Sequence, residues 1–199
     1  MGETRTRMRP EQRRAAIVRA ATGEFARTGY RGTSTAQLAE SCGITQPILY
    51  RHFAGKAALY IACLESAWEE LRATWDSALQ AEPSPRNWLP TLTVVGLQAI
   101  GEHPGGQVWI RSLSDLHEDE TIRAHVIANM RTVHAYISDI VARAQAAGGV
   151  ADHVEPRVEA WLFLSTGLLF TLSHQLDDIV GDDFFLLLAQ RYREVDPSR

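Results

Sequence analysis

At 199 residues, 45% of them hydrophobic and 22% charged, the chain can bury one large core or two smaller ones. Its longest apolar stretch, Trp161 to Leu172, is broken by Ser165, Thr166 and Gly167 and is too short to cross a bilayer, while Cys42 and Cys63 make neither a disulfide framework nor a CxxC site. The net charge of -4 divides unevenly: residues 1–56 hold 10 basic and 4 acidic side chains (+6), residues 57–199 hold 10 and 20 (-10), so only the first segment suits a polyanion.

Residues 1–10 carry Arg5, Arg7 and Arg9 with no apolar segment behind them, which predicts no secretory signal and a cytoplasmic protein. The arginines make either a solvated tail or an arm for a minor groove. Pro10 suits a first helical turn, and Ile17, Ala21 and Phe25 then recur every four residues until Gly29, predicting a helix over 10–28. Ser34 followed by Gln37 forms a capping-box pattern for a short helix that buries Leu38, Ala39 and Cys42 and stops at Gly43. Thr45 stands at the cap of a third helix, with Pro47 tolerated in its first turn, running to about Phe53. From Lys56 to Ala81 a longer amphipathic stretch places Leu59, Cys63, Ala67 and Leu71 on one stripe.

Pro83-Ser84-Pro85 punctuates the chain, and Trp88, Leu92, Val95 and Ala99 predict a helix over 86–102 that His103-Pro104-Gly105-Gly106 ends. Val108, Trp109, Leu113 and Leu116 mark a short helix, and a long one carries Ile122, Val126, Met130, Val133, Ile137, Ile140 and Ala144 as far as Gly148-Gly149. Pro156 opens a helix that is apolar nearly all round. Asp182-Asp183 precede a last one with Phe184, Phe185, Leu187 and Leu188. No strand pattern intervenes, so the expected fold is all-α, with about nine helices.

Residues 34–53 meet the demands of a helix-turn-helix: a small residue where helices cross (Ala39), a glycine for the turn (Gly43), and apolar residues at fixed offsets (Leu38, Cys42, Ile44, Leu49). That geometry lays the third helix in the major groove, exposing Thr45, Gln46, Pro47, Ile48, Tyr50, Arg51 and His52. Gln46 can offer a bidentate amide to adenine, Arg51 can reach guanine or a phosphate, and Ile48 or Pro47 can pack on a thymine methyl. Phe53 is read as core.

Gly29-Tyr30-x-x-Thr33-Ser34, Leu38-Ala39, Gly43-Ile44-Thr45, Leu49-Tyr50-Arg51-His52-Phe53 and Lys56 together resemble the signature of the TetR family over about 50 residues. Beyond Ala81 the likeness is one of helix number and length only. The resemblance implies a transcriptional regulator, most simply a repressor of operator DNA that a small molecule releases, with activation or ligand-independent regulation left open. It implies phosphate contacts at Tyr50, His52 and Lys56 and base contacts at or beside Ala36, Gln46, Pro47, Ile48 and Arg51, with Ser34, Thr35 and Thr45 completing the DNA-binding set. Ala36 departs from that pattern because it cannot hydrogen-bond a base. The implied division is a DNA-binding domain over 1–56, a linking helix over 57–82, and a ligand-binding and dimerisation domain over 83–199.

A single helix-turn-helix makes few contacts, so a homodimer is expected. Trp161, Leu162, Leu168, Leu169, Leu172, Phe185, Leu188 and Tyr192 exceed what one core face requires and predict a four-helix interface. Trp88, Gln98, Trp109, Leu113, His117, Asn129, Met130, His134, Thr166 and Phe170 are candidate contacts for an apolar or aromatic effector. An enzyme or metal protein is the rival class. His117-Glu118-Asp119-Glu120 lacks the second histidine of HExxH, and His103, His125, His134, His153 and His174 show no i,i+4 pairing. No nucleotide loop or nucleophile elbow occurs either. Neither catalysis, a metal nor a cofactor is expected.

Overall fold

The apolar stripes wind into nine α-helices in the computed structural model, which describes residues 9–116, 119–176 and 181–194, and no strand occurs among these residues. In chain order they are α1 (Pro10–Gly32), α2 (Thr35–Ser41), α3 (Gln46–His52), α4 (Lys56–Ala81), α5 (Trp88–Glu102), α6 (Pro104–Ser112), α7 (Glu120–Ala146), α8 (Pro156–Gln175) and α9 (Gly181–Glu194). A single 3-10 turn over Pro85–Asn87 leads into α5.

Two cores organise them. Ile17, Ala21 and Phe25 of α1 bury against Leu38, Leu49 and Phe53 and against Leu59, Tyr60 and Cys63 of α4. The Phe25 and Tyr60 rings meet edge-on at 4.8 Å, a favourable arrangement of their quadrupoles. Val108 of α6 and Ile122 and Val126 of α7 enter this same core, so the first three helices are closed from above by residues a hundred positions away. The second core gathers Trp75 and Leu79 of α4, Leu89 and Leu92 of α5, Ile137, Ile140 and Val141 of α7, and Ala160 of α8.

Two expected boundaries shift. Gly29 leaves the helical region (φ 72°), but the chain resumes a helical turn as far as Gly32, so α1 outlasts its expected stop. The helix expected over 86–102 does end at Glu102, with His103 extended, but the next one begins at once, since Pro104 occupies the first turn of α6 and the glycines are needed for contact. A Cβ on Gly106 would lie 2.5 Å from the Ala99 carbonyl oxygen, so only glycine lets α6 fold back against α5.

Cys63 is fully buried, its thiol donating to the Val18 carbonyl oxygen at 3.6 Å, and burial pushes its pKa up to about 12. Half-buried Cys42 is raised as well, chiefly by desolvation. Since the thiolate is the reactive form, a disulfide reagent at neutral pH should leave Cys63 untouched in the folded protein and titrate both thiols in denaturant. Two fast-reacting thiols in the native state would contradict this packing.

Candidate nucleic-acid interface and inner cavity

The second helix is fixed at its start by a reciprocal cap: Ser34 Oγ accepts from the Gln37 amide (3.2 Å) and Gln37 Oε1 accepts from the Ser34 amide (2.8 Å). Gly43 then turns the chain with φ 62°, a left-handed value that a Cβ would strain. The Ile44 amide donates back to the Ala39 carbonyl at 3.0 Å, which locks the turn. Thr45 occupies the cap position of α3, but its hydroxyl bonds to no backbone amide there. Leu49 and Phe53 point into the core, with the Arg14 guanidinium 4.8 Å above the Phe53 ring.

With those two anchors inside, the remaining side chains of α3 face outward. Thr45, Gln46, Pro47, Tyr50 and Arg51 are exposed, and Ile48 and His52 are half-buried. Ser34 and Ala36 are exposed and Thr35 half-buried at the start of α2. The Tyr50 hydroxyl donates to Thr35 Oγ1 at 3.4 Å, joining the outer face of α3 to the first turn of α2. Lys56 does more than its sequence pattern suggests. Its Nζ donates to the carbonyl oxygens of Tyr30 (2.9 Å) and Thr33 (3.1 Å) and sits 4.2 Å from the Tyr30 ring centre, tying the end of α1 to the start of α4. Arg9 is exposed, whereas Arg5 and Arg7 lie outside the described residues.

A cavity of about 450 Å³ opens between α4, α5, α6, α7 and α8. Of the ten residues expected to meet an effector, Trp109 and Met130 line it. The others are drawn elsewhere. Trp88 donates its indole N–H to the Glu82 carbonyl, Gln98 faces solvent, and Leu113 packs on the N-terminal core. His134 bonds the Arg157 carbonyl oxygen and stacks on Trp161, Thr166 donates to the Leu162 carbonyl, and Phe170 packs on Phe184. Asn129 Oδ1 is buried without a hydrogen-bond partner and is not in the cavity wall, and His117 lies outside the described residues.

The wall instead includes Trp68, Trp75 and Phe163, with Thr93, Glu70 and His103 as polar members. Spacing alone could not single them out. Trp75 looks like an ordinary stripe residue until Gly96 of α5 is seen to cede it space, a Cβ there standing 3.1 Å from the indole.

Among the residues expected to form an interface, Trp161, Leu162 and Leu168 of α8 are exposed, Leu168 also lining the cavity, and Val158, Leu186 and Leu187, not anticipated, are exposed as well. Leu169 and Leu188 are half-buried. Tyr192 turns inward, its hydroxyl bonded to Thr93 Oγ1 and to the Leu89 carbonyl oxygen, because Arg191 beside it pairs with Glu159 and holds α9 against α8. The side chains of Leu172 and Phe185 lie outside the described residues.

Residues 17–63 match the family model described as bacterial regulatory proteins, tetR family. The chain is 30% identical over 83 residues to the HTH-type transcriptional activator FasR of Mycolicibacterium smegmatis, spanning 42% of this chain and 38% of that protein. It is 31% identical over 116 residues to the HTH-type transcriptional repressor KstR2 of the same organism, spanning 56% of each. The matches thus cover less than two thirds of either relative. Among solved structures, AibR in complex with isovaleryl coenzyme A and operator DNA is similar over 78% of this chain and 84% of that one (TM-score 0.61, 25% identity). A TetR-family regulator from Rhodococcus sp. shares the fold over 92% of this chain and 97% of its own (TM-score 0.78, 21% identity).

Proposed function

We propose, on the tetR family match over residues 17–63, that the chain is a cytoplasmic, non-enzymatic transcriptional repressor that holds operator DNA as a homodimer and releases it when a small molecule fills the cavity. The observation that carries this reading is the outer face of α3, where Gln46, Pro47, Tyr50 and Arg51 are exposed while Leu49 and Phe53 fix the helix from behind. A rigid helix with its amide and guanidinium ends outward is what base readout in a major groove requires.

Residues 1–56 supply the DNA contacts, 57–82 the connection and one wall of the effector cavity, and 83–199 the other walls and the dimer face. Two elements couple them. The 26 residues of α4 span about 39 Å, from Leu59 and Cys63 in the N-terminal core to Trp68 and Trp75 at the cavity. Helix α6 runs beside it, with Trp109 and Ile110 in the cavity wall. Just beyond α6, Asp115 Oδ2 accepts from the Tyr60 hydroxyl (2.7 Å) and the Tyr30 amide (3.3 Å). A ligand that favours a different seating of α6 against α4 thereby changes the separation of the two α3 helices in the dimer, and lowers operator affinity by its differential binding to the two states. Similarity to an activator as well as a repressor supports activation as a second reading, which transcription assayed in vitro on the selected operator decides.

Selection of bound duplexes from a random library tests the proposal. Gln46→Ala and Arg51→Ala should each cost about 1–3 kcal/mol and relax preference at particular base pairs. Tyr50→Phe should weaken all sequences alike. Recovery of no preferred duplex at any salt concentration would overturn the reading.

A further inference from the structure

The walls of the cavity carry a chemical bias of their own. Trp68, Trp109 and Phe163 supply aromatic surface, backed by Trp75, which is buried, stacked on Tyr136 at 5.9 Å and has its indole N–H satisfied by the Leu92 carbonyl oxygen at 3.0 Å. The Trp68 ring stands edge-on to Trp75 at 6.2 Å. At the opening stands Glu70, exposed, with Oε1 accepting from Ser66 Oγ at 3.1 Å. Among the described residues no lysine or arginine lines the cavity and none pairs with Glu70, while His103 at the rim offers a hydrogen bond rather than a permanent charge.

On the reading that this cavity is the effector site, we propose that it takes an aromatic ligand bearing a single positive charge, with its flat body among the tryptophans and its cationic end at the Glu70 carboxylate. An anionic ligand would enter a site that offers it no counter-charge and one repelling carboxylate, so acyl-coenzyme A thioesters, the ligand class bound by AibR, are poor occupants here. Tryptophan faces add to the preference, because their quadrupole attracts cations and repels anions.

Calorimetric titration of the full-length protein with three probes on one aromatic body checks this: naphthylethylammonium, naphthylethanol and naphthylacetate, with isovaleryl-coenzyme A as a competitor. The ammonium probe should bind about tenfold more tightly than the carboxylate, with the alcohol between them, and the thioester should not displace it. E70Q should narrow the ratio of ammonium to carboxylate affinity to about twofold. Equal or tighter binding of the carboxylate or the thioester, or a charge preference that survives E70Q, overturns the assignment of charge while leaving the cavity as an effector site. If none of the three naphthyl probes binds, the effector-site reading falls and this inference with it.

Discussion

In the proposed homodimer, replacing Trp161 and Leu186 together by glutamate should give monomers and weaken operator binding by about a thousandfold or more, towards the affinity of non-specific contact. Trp161 is 51% exposed in the single chain, and Leu186 on the adjoining α9 is 66% exposed. With Val158, Leu162 and Leu187 they exceed the scattered apolar residues of an ordinary monomer surface. Two carboxylates on each copy, facing one another across a two-fold axis, would have to lose water without gaining a partner, which an interface of this size cannot offset. Sedimentation gives the oligomeric state and fluorescence anisotropy at fixed salt gives the affinity. A dimer that survives the double substitution would place the interface elsewhere. Leu169 and Leu188 are less suitable sites for such charges, since both are partly covered within one protomer and their loss would damage it as well.

Lys56→Met should destabilise the N-terminal unit by about 3 kcal/mol, because each of two charge-assisted hydrogen bonds to backbone carbonyls contributes about 1.5–3 kcal/mol and partial solvent access discounts their sum. Methionine keeps the length of the side chain and loses both donors, leaving the Tyr30 and Thr33 carbonyls to water. Urea unfolding followed by circular dichroism measures the loss as a lower midpoint with little change in slope. The ammonium's remaining donor is available to a phosphate, so the slope of log affinity against log salt should also flatten by about one. Unchanged stability would reduce Lys56 to a surface charge.

Local chemistry made the helix-turn-helix legible in advance. Ser34 and Gln37 cap α2, Gly43 turns the chain, and Leu38, Leu49 and Phe53 bury, all within a span of 20 residues. The same windows yield α4, whose observed bounds coincide with the Lys56 to Ala81 stretch, and the long α7. The lining of the cavity was far less legible. Trp109 and Met130 line the cavity, whereas Trp88 and His134 are held by carbonyls of Glu82 and Arg157, which no helical period announces.

What the sequence determined by itself is the set of helices and the helix-turn-helix unit whose outer face α3 forms, because a cap, a turn glycine and a 3.6-residue stripe act over distances of one or two turns. Tertiary structure decided the rest: that α6 begins directly at Pro104 and folds back on α5, that Lys56 spends two donors on α1, and that Trp68 and Trp75 line an open space. Each of these depends on which helix lies opposite, as Gly106 lies on Ala99 and Gly96 on Trp75, and contacts between residues of different helices leave no periodic mark in either partner.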